Sequence, residues 1–60
     1  MEKFEVAIRT ENASFEGENK SHELAKLLRK VADKVEQGNE EGMVIDANGN
    51  KVGEFSFESY

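Results

Sequence analysis

A stripe of apolar residues at helical spacing, flanked on both sides by segments with strand character, restricts this chain to a helix laid on a sheet. Leu24, Leu27, Leu28, Val31 and Val35 recur at i, i+3, i+4, i+7 and i+11, which lines them along one face of a helix over 21–37. Ala25 and Ala32 widen one shoulder of the stripe. Ser21 or Asn19 offers an oxygen to the free amides of the first turn. Gly38 follows the last periodic residue, where a left-handed exit is easiest without a Cβ. On the outer face, Glu23–Lys26 and Arg29–Asp33 have the spacing of helical ion pairs.

Residues 3–9 alternate, with Phe4, Val6 and Ile8 on one side and Lys3, Glu5, Ala7 and Arg9 on the other. Aromatic and β-branched residues at period two predict a half-buried strand with its Phe4 side on the core. Residues 10–20 lose the pattern and read as a loop, in which Phe15 is the large apolar residue expected to pin the segment to the core. After a connector at 39–42, strands are predicted at 43–47 and 50–58, because Asn48-Gly49 between apolar runs signals a hairpin. A turn on Asn48-Gly49 pairs Ile45 with Val52. A longer turn over Ala47-Asn48-Gly49 pairs Val44 with Val52, and it uses Asp46 at the first turn position and Gly49 in the left-handed region. The longer turn is preferred. Val44 and Val52 then face the helix, out of phase with Phe55 and Phe57, and Gly53 is the natural place for a bulge that restores the phase.

The order strand–helix–strand–strand predicts an α+β fold: a three-stranded sheet with one helix packed on one face, forming a single small domain over 1–60. The first strand is expected antiparallel to the third, in spatial order 2-3-1, with a place beside the second as the alternative. The expected core is Phe4, Val6, Ile8, Leu24, Leu27, Leu28, Val31, Val35, Val44, Val52 and either Phe55 or Phe57. Replacing Leu28 by Ala is expected to cost about 2–5 kcal/mol. The reverse side of the sheet has no cover within the chain. It carries Ala7, Met43 and Ile45, beside Glu5 and Arg9, and exposed apolar residues so grouped mark an association surface.

Size strengthens that expectation. A chain of 60 residues buries only about 60% of its unfolded surface, so a second copy or a partner supplies burial that the chain lacks. With no cysteine there is no disulfide framework and no thiolate zinc site. No apolar run approaches the roughly 20 residues of a membrane span, and the charged opening MEKFEVAIRT does not read as a secretory signal, so a cytoplasmic setting is expected. The net charge of −5 is concentrated outside the helix, and Glu11, Glu16, Glu18, Glu40 and Glu41 form a candidate acidic rim for a basic partner. Nucleic acid is not an expected partner, because a phosphate footprint needs a basic surplus.

Three stretches carry a family resemblance. The run Phe4 to Phe15, containing Thr10-Glu11-Asn12-Ala13-Ser14-Phe15, the helix Glu23 to Arg29 with Val31, Ala32 and Val35, and the close Asp46-Ala47-Asn48-Gly49-Asn50-Lys51-Val52-Gly53-Glu54-Phe55 resemble a group of short uncharacterised proteins of phage, prophage and bacterial genomes. The resemblance spans nearly the whole chain and rests on the Asn-Ala-x-Phe and Asp-x-Asn-Gly-Asn-x-Val-Gly segments in combination. It implies a phage-type or mobile-element accessory protein in an intracellular setting, and it brings no catalytic residues.

Chemistry-bearing constellations are sparse. His22 is the single histidine, at the first turn of the helix, with no nucleophile placed beside it by spacing. Asp46-x-Asn48-x-Asn50 begins like a calcium loop, but the sixth and twelfth positions are Lys51 and Phe57 where Gly and Glu are needed, so it reads as a turn. The glycines lack the context of a phosphate loop. The sequons at Asn12 and Asn19 lack a secretory context. Lys26, Lys30 and Lys34 run along one helix flank as a solvated face. No cofactor, metal or catalytic residue is expected. The residues support a non-enzymatic binding or accessory protein, working through protein–protein contacts as a homodimer. The alternative is an acidic inhibitor that imitates nucleic acid and occupies a basic groove of a host protein.

Overall fold

The computed structural model describes residues 1–11 and 15–59. Strand β1 (Glu2–Ile8) is followed by helix α1 (Asn19–Glu36), strand β2 (Glu41–Ile45) and strand β3 (Lys51–Ser59). The strands form one antiparallel sheet in the order β1-β3-β2, the arrangement the sequence favours. The fold class is therefore α+β, with the single helix packed against the sheet.

The helix starts earlier than its apolar stripe. Asn19 and Ser21 lie inside it, and Glu18 occupies the N-cap without a side-chain capping hydrogen bond, so the N-cap role expected of Asn19 or Ser21 is not realised. Its other end is built as the sequence implies. Gly38 has φ 98°, its amide donates to the Val35 carbonyl at 3.0 Å, and the Asn39 amide donates to the Lys34 carbonyl at 3.1 Å. These two bonds form a Schellman motif, and the Asn39 side-chain amide adds a second donor to Lys34 O at 2.9 Å.

The β2–β3 turn spans Ala47-Asn48-Gly49. Asp46 N–H donates to Asn50 O at 2.9 Å, Gly49 N–H donates to Asp46 O at 3.1 Å, and Gly49 has φ 84°, a conformation that costs a Cβ-bearing residue steric energy. The Asp46 carboxylate accepts from the amides of Asn48 at 2.9 Å and Asn50 at 2.8 Å. The loop length is the preferred one, but neither expected register survives. Ile45 pairs with Lys51 and Val44 with Gly53, leaving Val52 as an extra residue in β3. This bulge turns Val52 to the same side as Val44 and Phe55, and all three are buried.

Two glycines permit close packing between neighbouring strands. A Cβ on Gly53 would collide with the Ala7 carbonyl oxygen of β1, and one on Gly42 would lie 2.7 Å from the Phe55 ring, which covers that position.

Phe15, Leu27, Val31, Val44, Val52 and Phe55 form the buried cluster, with Ile8, Leu24 and Val35 packed against it. Phe15 pins its segment as expected, at 2% exposure. The expected core needs correction at Phe4, Val6 and Leu28, which keep 39%, 38% and 43% of their surface exposed. Of the two phenylalanines of β3, Phe55 is core and Phe57 is exposed. The reason is lateral placement. The helix lies closest to β2, to which residues 37–40 tether it, and Lys34 Nζ donates to Met43 O at 3.2 Å across the same junction. A helix about 10 Å wide covers about two strands spaced ~4.8 Å apart, so β1 projects beyond it.

Thermal unfolding of dilute protein should separate the two leucines. Leu27→Ala should lose about 2–5 kcal/mol, whereas Leu28→Ala should lose about 1–2 kcal/mol, and equal losses would place Leu28 in the core after all. Asp46→Ala should cost about 1–3 kcal/mol by leaving two turn amides short of an acceptor, while Asp46→Asn, which keeps an acceptor oxygen, should retain most of that stability.

Candidate functional site

The exposed apolar surface lies on the helix side of the sheet, beside β1. Phe4 pairs with Phe57 and Val6 with Phe55 across β1–β3, so all four point to the helix layer. The Phe4 ring stands 5.0 Å from Phe57 and 6.0 Å from Phe55, centroid to centroid, at interplanar angles of 58° and 41°. These tilted contacts carry an aromatic row outward from the buried ring to the open flank. The helix supplies the facing wall. Leu28, Ala32 and Val35, with Val31 at the base, close a groove of about 540 Å³ against Phe4 and Val6, and Asp33 and Glu36 stand at its rim. Its walls are apolar and its rim is anionic.

The reverse face is composed differently from the sequence expectation. Ala7 and Met43 are exposed there, yet each pairs with Glu54 of the middle strand. Glu54 thus stands between them and pairs with Arg9 at 3.4 Å. The adjoining row is Glu5–Ser56–Glu41, and Lys3 contacts Glu5. Ile45, 37% exposed, pairs with Lys51. Glu54 consequently separates Ala7 from Met43, whereas Met43 and Ile45 are neighbours on one face of β2. The polar positions Glu54, Ser56 and Glu58, alternating with Phe55 and Phe57, were the signal for this, and the expected order with β3 in the middle already placed Glu54 between β1 and β2.

The candidate acidic rim is also divided. Ile8 lies opposite Gly53 and Glu2 opposite Ser59, so Glu11 falls beyond the hairpin end of the sheet, the end from which Glu16 and Glu18 lead into the helix. Glu41 pairs with Ser56, and Glu40 accepts a hydrogen bond from Phe57 N–H at 3.0 Å, placing both toward the opposite end. Roughly 20 Å of strand separates the two ends.

The remaining chemistry-bearing residues stay apart. His22 is exposed. Among the described residues, no group of His, Cys, Asp and Glu side chains is arranged to hold a metal ion. Lys26 pairs with Glu23 at 3.4 Å, as their spacing implies. Lys30 and Lys34 border a smaller recess of about 180 Å³ between the helix and β2. Among the described residues, no helix is long and apolar enough to cross a membrane. In comparisons with known proteins, no family model, curated protein or solved structure matches this chain. Of the segment Asn12-Ala13-Ser14-Phe15, all but Phe15 lies outside the described residues.

If Glu54 is what interrupts the reverse face, Glu54→Leu should create a continuous Ala7–Leu–Met43 strip and raise light scattering at high protein concentration above that of the parent chain. Glu54→Gln should not. Identical scattering for both variants would show that this charge does not govern the face.

Proposed function

We propose that this chain is a non-enzymatic protein-binding module that works as a homodimer, joined along the β1 side of the helix layer where the apolar groove lies open. One observation carries the reading: Phe4, Val6, Leu28 and Phe57, which a larger protein would bury, each keep about two-fifths of their surface exposed and lie side by side. A contiguous apolar patch with a charged rim is the usual composition of a protein-binding surface. The small buried cluster supports the same reading, because a second copy adds the burial a short chain lacks.

An accessory role in a phage or mobile element, in the cytoplasm, is the setting proposed with it. It rests on the resemblance carried by the Asn-Ala-x-Phe and Asp-x-Asn-Gly-Asn-x-Val-Gly segments in combination. The alternative of a nucleic-acid mimic asks for one continuous anionic strip, and the division of the five glutamates between opposite ends of the sheet favours the groove instead.

Sedimentation velocity over a range of concentrations tests the reading. The parent chain should approach twice its 6.8 kDa mass, and Leu28→Glu should shift it to the monomer, whereas Met43→Ser on the reverse face should not. A parent chain that stays monomeric throughout would remove self-association from the proposal.

A further inference from the structure

The two edges of the sheet are unlike each other, and the difference indicates how a second copy joins. At the β2 edge, Lys34 reaches over and donates to the Met43 carbonyl, with Lys30 alongside. That bond occupies an outward carbonyl which a further strand would need as an acceptor. The β1 edge is longer, at 7 residues against 5. Among the described residues, no side chain caps the outward backbone of Phe4 or Val6.

The outward residues follow from the ladder. Arg9 N–H donates to Val52 O at 2.7 Å, in continuation of the Ile8↔Gly53 register. Backbone direction alternates along an antiparallel strand, so Lys3, Glu5 and Ala7 also face β3, while Glu2, Phe4, Val6 and Ile8 turn their amides and carbonyls outward. A second β1 can then bond antiparallel only when even-numbered residues oppose even-numbered residues. This leaves two-fold registers centred on Phe4, Glu5 or Val6. Centring on Glu5 sets Glu5 against its own copy on the reverse face. Centring on Val6 sets Lys3 against Arg9. Centring on Phe4 sets Lys3 against the second copy's Glu5 twice, and stacks Phe4 on Phe4 in the helix layer.

We propose that two copies of this chain join by antiparallel pairing of their β1 edges in the Phe4-centred register, forming a six-stranded sheet. The geometry rests on the homodimer reading above and adds its register. Like charges directly opposite destabilise a strand pair, and opposite charges support it, so charge complementarity selects this register. The pairing also covers the open flank of Phe4 and Val6 and brings the two apolar grooves together across the two-fold axis.

Mixed charge-swap variants test the register. Lys3→Glu places glutamates opposite each other in the homodimer, and Glu5→Lys places lysines there. Each variant alone should dimerise about tenfold more weakly than the parent at low salt. An equimolar mixture should recover the parent's affinity, because the two variants are complementary only across the interface. Circular dichroism of each variant reports that the fold is retained. On the parent chain, amide exchange at Phe4 and Val6 should slow as concentration rises. A parent dimer whose affinity ignores both swaps, with no recovery on mixing and no concentration-dependent protection at Phe4 and Val6, would overturn this register and leave the homodimer standing. A parent chain that is monomeric at every concentration would overturn both.

Discussion

One extra residue in β3 orients the apolar side chains of the whole sheet. Without it, Val52 would lie on the opposite side from Phe55 and Phe57, and the chain would have to expose either its valine or its aromatic pair. The bulge at Val52, between the Ile45↔Lys51 and Val44↔Gly53 pairs, places Val44, Val52 and Phe55 in the buried cluster together. Gly53 permits it, because any larger residue there would meet the Ala7 carbonyl. The turn fixes the register on the hairpin side, with Asp46 holding both Asn48 and Asn50 amides. Turn, bulge and close strand approach thus act on one another within a few residues of chain.

The second constraint is width. One amphipathic helix cannot roof three strands, and residues 37–40 fix which part it roofs. Held near β2 by this short connection and by the Lys34–Met43 contact, α1 leaves β1 uncovered on the helix side. The groove is therefore a consequence of how the chain is connected. Its floor is continuous with the core through Phe55 and Phe4, so whatever occupies it extends the core. Asp33 and Glu36 stand at its edge, so an apolar floor is bordered by negative charge.

The two edges of the sheet differ. Lys34 occupies the Met43 carbonyl at the β2 edge, whereas β1 presents the charge order Lys3, Phe4, Glu5 along its length. In the proposed register, pairing at the β1 edge closes a two-fold assembly rather than extending the sheet.

Much of this was legible in the residues. Period two in 3–9, the helical stripe in 21–37, the Asp46–Asn50 turn and the need for a bulge at Gly53 are local properties, set by which side chains can share a face of a strand or a helix. They determined the elements, their order and the side of the sheet each residue faces. Burial was decided elsewhere. Phe4, Val6 and Leu28 belong to the core side by periodicity, yet the sideways position of the helix leaves them open. Ala7 and Met43 share the reverse face as expected, yet the middle strand sets Glu54 between them. Periodicity reports direction within an element. Coverage and neighbourhood depend on which strands become adjacent and how far a tethered helix can reach, and those are settled by packing between residues distant in the chain.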